Sequence, residues 1–192
     1  MNDENQFWKV LQSRTILRDR WIHLRAEACE TARGVRIEPY YLLDSGSFAH
    51  VVALDEAGNL IMVRQYRHGC RAMSLELPGG VIDREDASIV EAGAREFLEE
   101  TGFEAPHLEL IASLSMDPAR FTGRTHFLFG RGARLVGRPS LDESEDIEVV
   151  TLPVSEAIAL AFSGAMIHSA HIAGLLIAAN REGWLSSNSE PR

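Results

Sequence analysis

The chain has 192 residues, 45% of them hydrophobic, and a formal net charge of -9. That length suits one domain, or one domain with a small appendage, and the apolar content is enough for a real core. An acidic surface argues against nucleic acid or an anionic membrane as partner, since both are bound through basic patches, and it repels an anionic small substrate unless arginines or bound cations receive it locally.

The first residues, "MNDENQFWKV", are polar and acidic, without the apolar run of a secretory leader. No stretch reaches the roughly 18 apolar residues that a membrane helix needs. Cys29 and Cys70 have no metal-ligand spacing and make no disulfide framework, so a reducing, cytoplasmic setting is expected. Residues 21–28 and 35–43 read as strands around a turn at Gly34, a small N-terminal antiparallel β-element within residues 1–46. A clearer hairpin follows, with strands at 49–54 and 60–66 and a Gly58-Asn59 turn. The run "SLELPGGVID" reads as a short strand and a Pro-Gly-Gly turn, and residues 88–101 as a helix. Then come strands in "LELIASLSM", "THFLFGRG" and "IEVVTL", and helices at 154–163 and 168–182. Residues 47–185 are therefore expected to form one layered α/β (α+β) domain, and the polar residues 186–192 a disordered tail.

The helix at 88–101 poses the chemical question, because "REFLEETGF" crowds Glu96, Glu99 and Glu100 together, and like charges one turn apart destabilise a helix. Ser88 and Glu91 fit a capping box, and Gly102 suits the left-handed residue after the last turn. At about 100° per residue, Val90, Ala94, Phe97, Leu98 and Thr101 form the expected core stripe, with the glutamates opposite. The glutamates are then either a solvated face or oxygen ligands for hard divalent cations, which would cancel their repulsion. Gly93, near that face, would leave room for a ligand. Upstream, "ELPGG" bares backbone at Gly79 and Gly80.

The whole run, "ELPGGVIDREDASIVEAGAREFLEETGF", resembles the Nudix box, G-x5-E-x7-R-E-U-x-E-E-x-G-U, where U is a bulky aliphatic residue. Residues 95–103 fit almost position for position, with Phe97 and Phe103 in place of aliphatics. The first half departs: one residue is inserted, and the expected glutamate falls on Asp86 or Ala87, with Glu85 adjacent. "MVRQYR", "LELPGG", Pro118 in "SMDPARFTG" and the acidic loop "DESED" are similar to the ADP-ribose pyrophosphatase and nucleotide-sugar hydrolase branch, although Ala119 stands where a glycine is usual. The resemblance implies an α/β/α sandwich with a mixed central sheet and an N-terminal β-element that serves the substrate pocket and a homodimer. It implies Mg²⁺, with Mn²⁺ as alternative, held by Glu96, Glu99, Glu100 and the Gly79 carbonyl. Arg95 would orient a glutamate, and Glu145, or else Glu143, would be the catalytic base. Arg67, Glu76, Pro118 and Trp21 would serve the substrate, Trp21 by stacking on the base. The implied reaction is hydrolysis of ADP-ribose to AMP and ribose 5-phosphate. The alternatives are another nucleoside diphosphate sugar such as GDP-mannose, or a sensor that binds ADP-ribose without cleaving it. His50, His68, His126, His168 and His171 share no metal spacing and are expected to be structural or surface residues.

Overall fold

The computed structural model describes residues 7–185, so the tail expected at 186–192 lies outside the described residues. The chain divides into two compact units. One holds the residues up to Gly46 together with Ser115–Arg124, and the other holds Ser47–Leu114 and the residues from Thr125 onward.

The first unit is a three-stranded antiparallel sheet of β1 (Lys9–Arg18), β2 (His23–Glu30) and β3 (Arg36–Asp44), in that spatial order. β1 is absent from the sequence reading. All ten of its residues are exposed, so "KVLQSRTILR" carries no alternation to read. β2 begins two residues later than expected, because Asp19 Oδ1 accepts from the Trp21 and Ile22 N–H groups at 2.7 and 2.9 Å and holds Trp21 in a turn. Arg25 makes a bidentate pair with Asp44 at 2.6 and 2.9 Å, tying β2 to β3. The segment containing Pro118 packs on this sheet: Tyr40 Oη donates to the Ala119 carbonyl, and Leu43 pairs with Phe121.

The second unit is built on an eight-stranded mixed sheet. Its strands are β4 (Phe48–Asp55), β5 (Asn59–Arg67), β6 (Ala72–Glu76), β7 (Gly79–Val81), β8 (Phe103–Glu104), β9 (Leu108–Leu114), β10 (Thr125–Leu135) and β11 (Ile147–Pro153). The central path runs β11-β5-β4-β10-β8, with β6 on β5, β7 on β4 and β9 on β10. β4 and β10 are parallel, and the other pairings are antiparallel. The Pro-Gly-Gly segment is thus not only a turn: Gly79–Val81 re-enters the sheet beside β4.

Three helices, α1 (Ile89–Thr101), α2 (Val154–Ser163) and α3 (Ser169–Arg181), cover this sheet. Side chains alternate along a strand, so Phe127 and Leu128 of β10 point to opposite faces. A side chain at Gly93 of α1 would overlap Leu128, and one at Gly174 of α3 would overlap Phe127. The two helices therefore lie on opposite faces, each brought close by a glycine, and the unit is a helix–sheet–helix sandwich. On the α1 face, Val51, Ala53, Ile61, Phe97, Leu108, Leu128 and Ala133 form the core. No described helix is long and apolar enough to cross a membrane.

Candidate active site

α1 starts and stops where the sequence places its signals. Ser88 Oγ accepts from the Glu91 N–H at 3.1 Å, and Gly102 closes the helix at φ 73°. The Glu91 carboxylate reaches the Ala87 N–H rather than that of Ser88, so the cap is shifted by one residue from a reciprocal box. The expected core stripe is rotated. Phe97 and Thr101 are buried, but Val90 and Leu98 are 38% and 40% exposed, whereas Ala92, Gly93 and Glu100 are buried. Gly93 makes room for Leu128, not for a ligand. Small residues let α1 sit close to the sheet. That approach carries Glu100 inward to the end of the sheet instead of out to solvent.

Glu100 is 6% exposed, and its Oε2 accepts from the Gly79 N–H at 2.7 Å. Burial pushes its pKa up to about 8. The Gly79 N–H opposes that shift, and the nearby Glu96 and Glu145 charges add to it. Glu96 is raised in the same way, by burial first; Arg95 opposes this, and Glu99 and Glu145 reinforce it. The Glu96 carboxylate lies against Gly80, where a Cβ would fall 2.5 Å from Oε2, so only glycine admits the carboxylate there. Gly79 has φ 142°, in the region that favours glycine, and a side chain on it would overlap the β4 backbone at Ala49.

Arg95 is the hub of the outer part of the site. Its guanidinium donates to Glu96 Oε1 at 2.9 Å, Glu99 Oε2 at 3.0 Å, the Val81 carbonyl at 3.2 Å and both oxygens of Asp86 at 3.1 and 3.0 Å. Of the candidates in the first half of the motif, Asp86 is the one bound to Arg95, with Asp83 at 3.5 Å as a second loop carboxylate. Arg95 holds Asp86 below the usual carboxylate range and is itself raised, chiefly by the bond to Asp86. Glu145 Oε2 accepts from the Asp142 N–H at 2.9 Å, which folds the acidic loop back on itself. Among the loop residues, Glu145 is the one whose charge reaches Glu96 and Glu100.

Arg67, at the end of β5, makes a bidentate pair with Glu76 at 2.8 and 2.6 Å through Nε and Nη2. Glu76 is fully buried. Burial works against its ionisation, but Arg67 outweighs that and holds its pKa below the usual range. Glu76 is therefore placed to support Arg67, in place of the substrate contact expected of it. Trp21 and Pro118 belong to the other compact unit. Trp21 is 77% exposed, with the Arg20 guanidinium 4.4 Å over its ring, so it is no core tryptophan.

Two of the histidines expected to be structural or surface residues come together. His168 and His171 share a metal-compatible set with Glu76, the only set of three such residues among the described ones whose donor atoms all lie within 4.8 Å. His171 Nδ1 also accepts from the Leu77 N–H at 3.1 Å. The "ELPGG" loop is thus pinned twice, at Gly79 by Glu100 of α1 and at Leu77 by His171 of α3. The signal that would have found this pair is the i, i+3 spacing of two histidines at a helix start. The three glutamates do not form so tight a set: Arg95 Nη1 bridges Glu96 and Glu99, while Glu100 is bound to the Gly79 N–H. Their donor set is nonetheless all oxygen, partly buried and mutually repelling, which fits a hard cation such as Mg²⁺ or Mn²⁺.

A two-faced α/β layer with carboxylates on a capped helix, set against a glycine loop, is an arrangement that suits a hard cation and an anionic substrate. The model of the NUDIX domain matches residues 46–172, and that of the nucleoside diphosphate sugar hydrolase N-terminal domain matches residues 8–43. The chain belongs to the Nudix family. An ADP-ribose pyrophosphatase of Mycobacterium tuberculosis is 33% identical over 127 residues, 66% of this chain but only 61% of that protein's length. A GDP-mannose pyrophosphatase of Pectobacterium atrosepticum is 32% identical over 161 residues, 78% of this chain and 82% of that protein. A solved structure of an ADP compounds hydrolase superimposes with a TM-score of 0.80 over 97% of this chain and 98% of that one, at 24% identity, and so shares the fold.

Proposed function

We propose that the chain is a Mg²⁺-dependent hydrolase that splits the diphosphate of ADP-ribose into AMP and ribose 5-phosphate. The observation that carries this reading is the burial of Glu100 and the partial burial of Glu96 against the Gly79-Gly80 loop, within reach of the Glu145 charge. A protein that only needed a soluble helix would not bury carboxylates that repel one another. Glu96, Glu99 and Glu100 would hold the cation, and the Gly79 carbonyl is a further candidate. When bound, the cation polarises the diphosphate and neutralises its charge.

The chain's own residues do the rest. Arg95 fixes the rotamers of Glu96 and Glu99 and braces the loop through Asp86 and Val81. Glu145 is the base that takes a proton from the attacking water, whose oxygen bonds to one phosphorus as the bridging P–O bond breaks. The leaving phosphate takes up that electron pair. Arg67, oriented by Glu76 through Nε and Nη2, offers its remaining edge, with Nη1, to a diphosphate oxygen. Trp21, standing in solvent on the N-terminal unit, serves the base pocket, together with Pro118. That unit also makes a homodimer: its edge strand β1 exposes Val10 and Leu11 at 59% and 50%, and a paired edge would cover them. Cys29 and Cys70 are both free, which supports a reducing cytoplasm.

The similarity to a GDP-mannose pyrophosphatase supports a second reading, the same chemistry on GDP-mannose. Release of phosphate after phosphatase coupling, from ADP-ribose and GDP-mannose side by side with Mg²⁺ and with EDTA, separates them. Mg²⁺-dependent turnover of ADP-ribose supports the first reading, and turnover of GDP-mannose alone replaces it. Binding of ADP-ribose without turnover points to a sensor. Elution from gel filtration at the mass of one chain refutes the dimer.

A further inference from the structure

On the α3 side of the Glu76-Leu77 strand end lies a group of side chains that the hydrolysis does not use. His168 and His171 stand one turn apart at the start of α3, with ring centroids 3.9 Å apart and planes 25° from parallel. His50 of β4 packs against His171 at 4.3 Å. His50 Nδ1, His168 Nδ1 and His171 Nε2 are buried with no hydrogen-bond partner among the described protein groups. His50 and His171 are 7% and 1% exposed. Leaving one buried polar atom unpaired is costly, and three together are a poor solution for a core that leucine or phenylalanine would fill without penalty. The fully buried Glu76 carboxylate adjoins them, with Oε2 3.6 Å from His171 Nδ1.

We propose that His168, His171 and Glu76 form a second metal site, separate from the helix glutamates, that takes a borderline transition-metal ion such as Zn²⁺. Two imidazoles and one carboxylate suit Zn²⁺, whereas Mg²⁺ takes oxygen donors almost alone. Donors at about 2.0–2.1 Å from a tetrahedral ion lie roughly 3.3 Å from each other, so the 3.6 Å between Glu76 and His171 is close to a ligand pair. The remaining donor lies within 4.8 Å, and to deliver it His168 has to turn out of its stack on His171, since an ion lies in the plane of each ring that binds it. Arg67 occupies one lone pair on each Glu76 oxygen and leaves another on each, so it orients the carboxylate as partners of metal ligands commonly do. Burial holds His50, His168 and His171 below the ordinary histidine range, which keeps the rings uncharged at neutral pH. The cost is the Leu77 N–H bond to His171 Nδ1, because that nitrogen has one lone pair and the ion displaces the N–H from it. His168 is the least buried of the three ligands and gives the ion its entry from solvent.

The test is a calorimetric Zn²⁺ titration of the full chain carrying Glu96→Gln and Glu100→Gln, in excess Mg²⁺, so that the glutamate site contributes nothing. One equivalent of Zn²⁺ is expected. In the same background His168→Ala weakens it by more than about 100-fold, beyond what losing an outer partner of a ligand costs. His168 makes no side-chain cap bond to α3, so its truncation leaves the helix start intact; His168→Gln serves as the second variant. Co²⁺ in place of Zn²⁺ should show the visible bands of tetrahedral nitrogen and oxygen ligation, and lose them in both variants. Absence of the equivalent, or an equivalent that both His168 variants and His171→Asn leave unchanged, overturns the proposal. None of these readouts depends on hydrolysis, so failure here and failure of the proposed activity are distinguishable.

Discussion

Glu100→Gln separates what the carboxylate costs the fold from what it does in the site. Burial pushes Glu100 from its ordinary 4.5 up to about 8. At 1.36 kcal/mol per pKa unit that gap corresponds to roughly 5 kcal/mol between the folded protein with a neutral and with an ionised carboxyl. The folded-state value is raised, so the stability due to the neutral group is fully present below pH 4.5 and is lost as pH rises through about 8. By pH 7 the loss is already roughly 3 kcal/mol. Glutamine matches the neutral acid in shape, keeps an acceptor for the Gly79 N–H and cannot ionise. Urea unfolding in EDTA should therefore find variant and wild type alike near pH 4, the variant more stable by roughly 3 kcal/mol at pH 7, and the difference approaching 5 above pH 8. Carboxylates remote from Glu100 titrate alike in both proteins and cancel in the difference, whereas Glu96 and Glu145, whose charges act on Glu100, titrate together with it. The same variant should lose most Mg²⁺-dependent turnover while staying folded. A stability difference that is absent at pH 9, or that does not grow with pH, refutes the burial argument. Turnover near wild type refutes the metal assignment.

Three further outcomes follow from particular contacts. Gly93→Ala should lower stability by about 1–3 kcal/mol by thermal unfolding, because the methyl meets Leu128, although helix propensity alone would raise stability by about 1 kcal/mol; the sign decides which effect wins. Arg95→Lys should lower kcat about 100-fold with little change in melting temperature, because an ammonium cannot serve Asp86, Glu96, Glu99 and the Val81 carbonyl from one plane; steady-state kinetics with ADP-ribose checks it. Ser88→Ala should cost about 1 kcal/mol in denaturant unfolding, by removing the Glu91 N–H acceptor, and leave kcat unchanged.

Local signals were legible where chemistry acts within a few residues. The cap at Ser88, the left-handed Gly102, the Gly58-Asn59 hairpin and the bounds of α2 are decided by neighbours in sequence, and "REFLEETGF" carried the family with it. The exposed β1 left no such trace, and nor did β8, which is two residues long.

The sequence by itself determined the kind of site: three helix glutamates, an arginine among them and a glycine loop ahead, because a motif names residue types and spacing. Only the tertiary structure decided which way that site faces. The apolar pattern put the glutamates opposite the core, but two glycines, Gly93 against Leu128 and Gly80 against Glu96, let the helix and loop close together and turned Glu100 inward. It alone joined Asp86 of the loop to Arg95 of the helix. It alone brought His50, His168, His171 and Glu76 to one place, since they come from β4, from the start of α3 and from the end of β6. Spacing along the chain reports on one helix or one loop; packing α3 on the sheet is what joins Leu77 to His171, 94 positions apart.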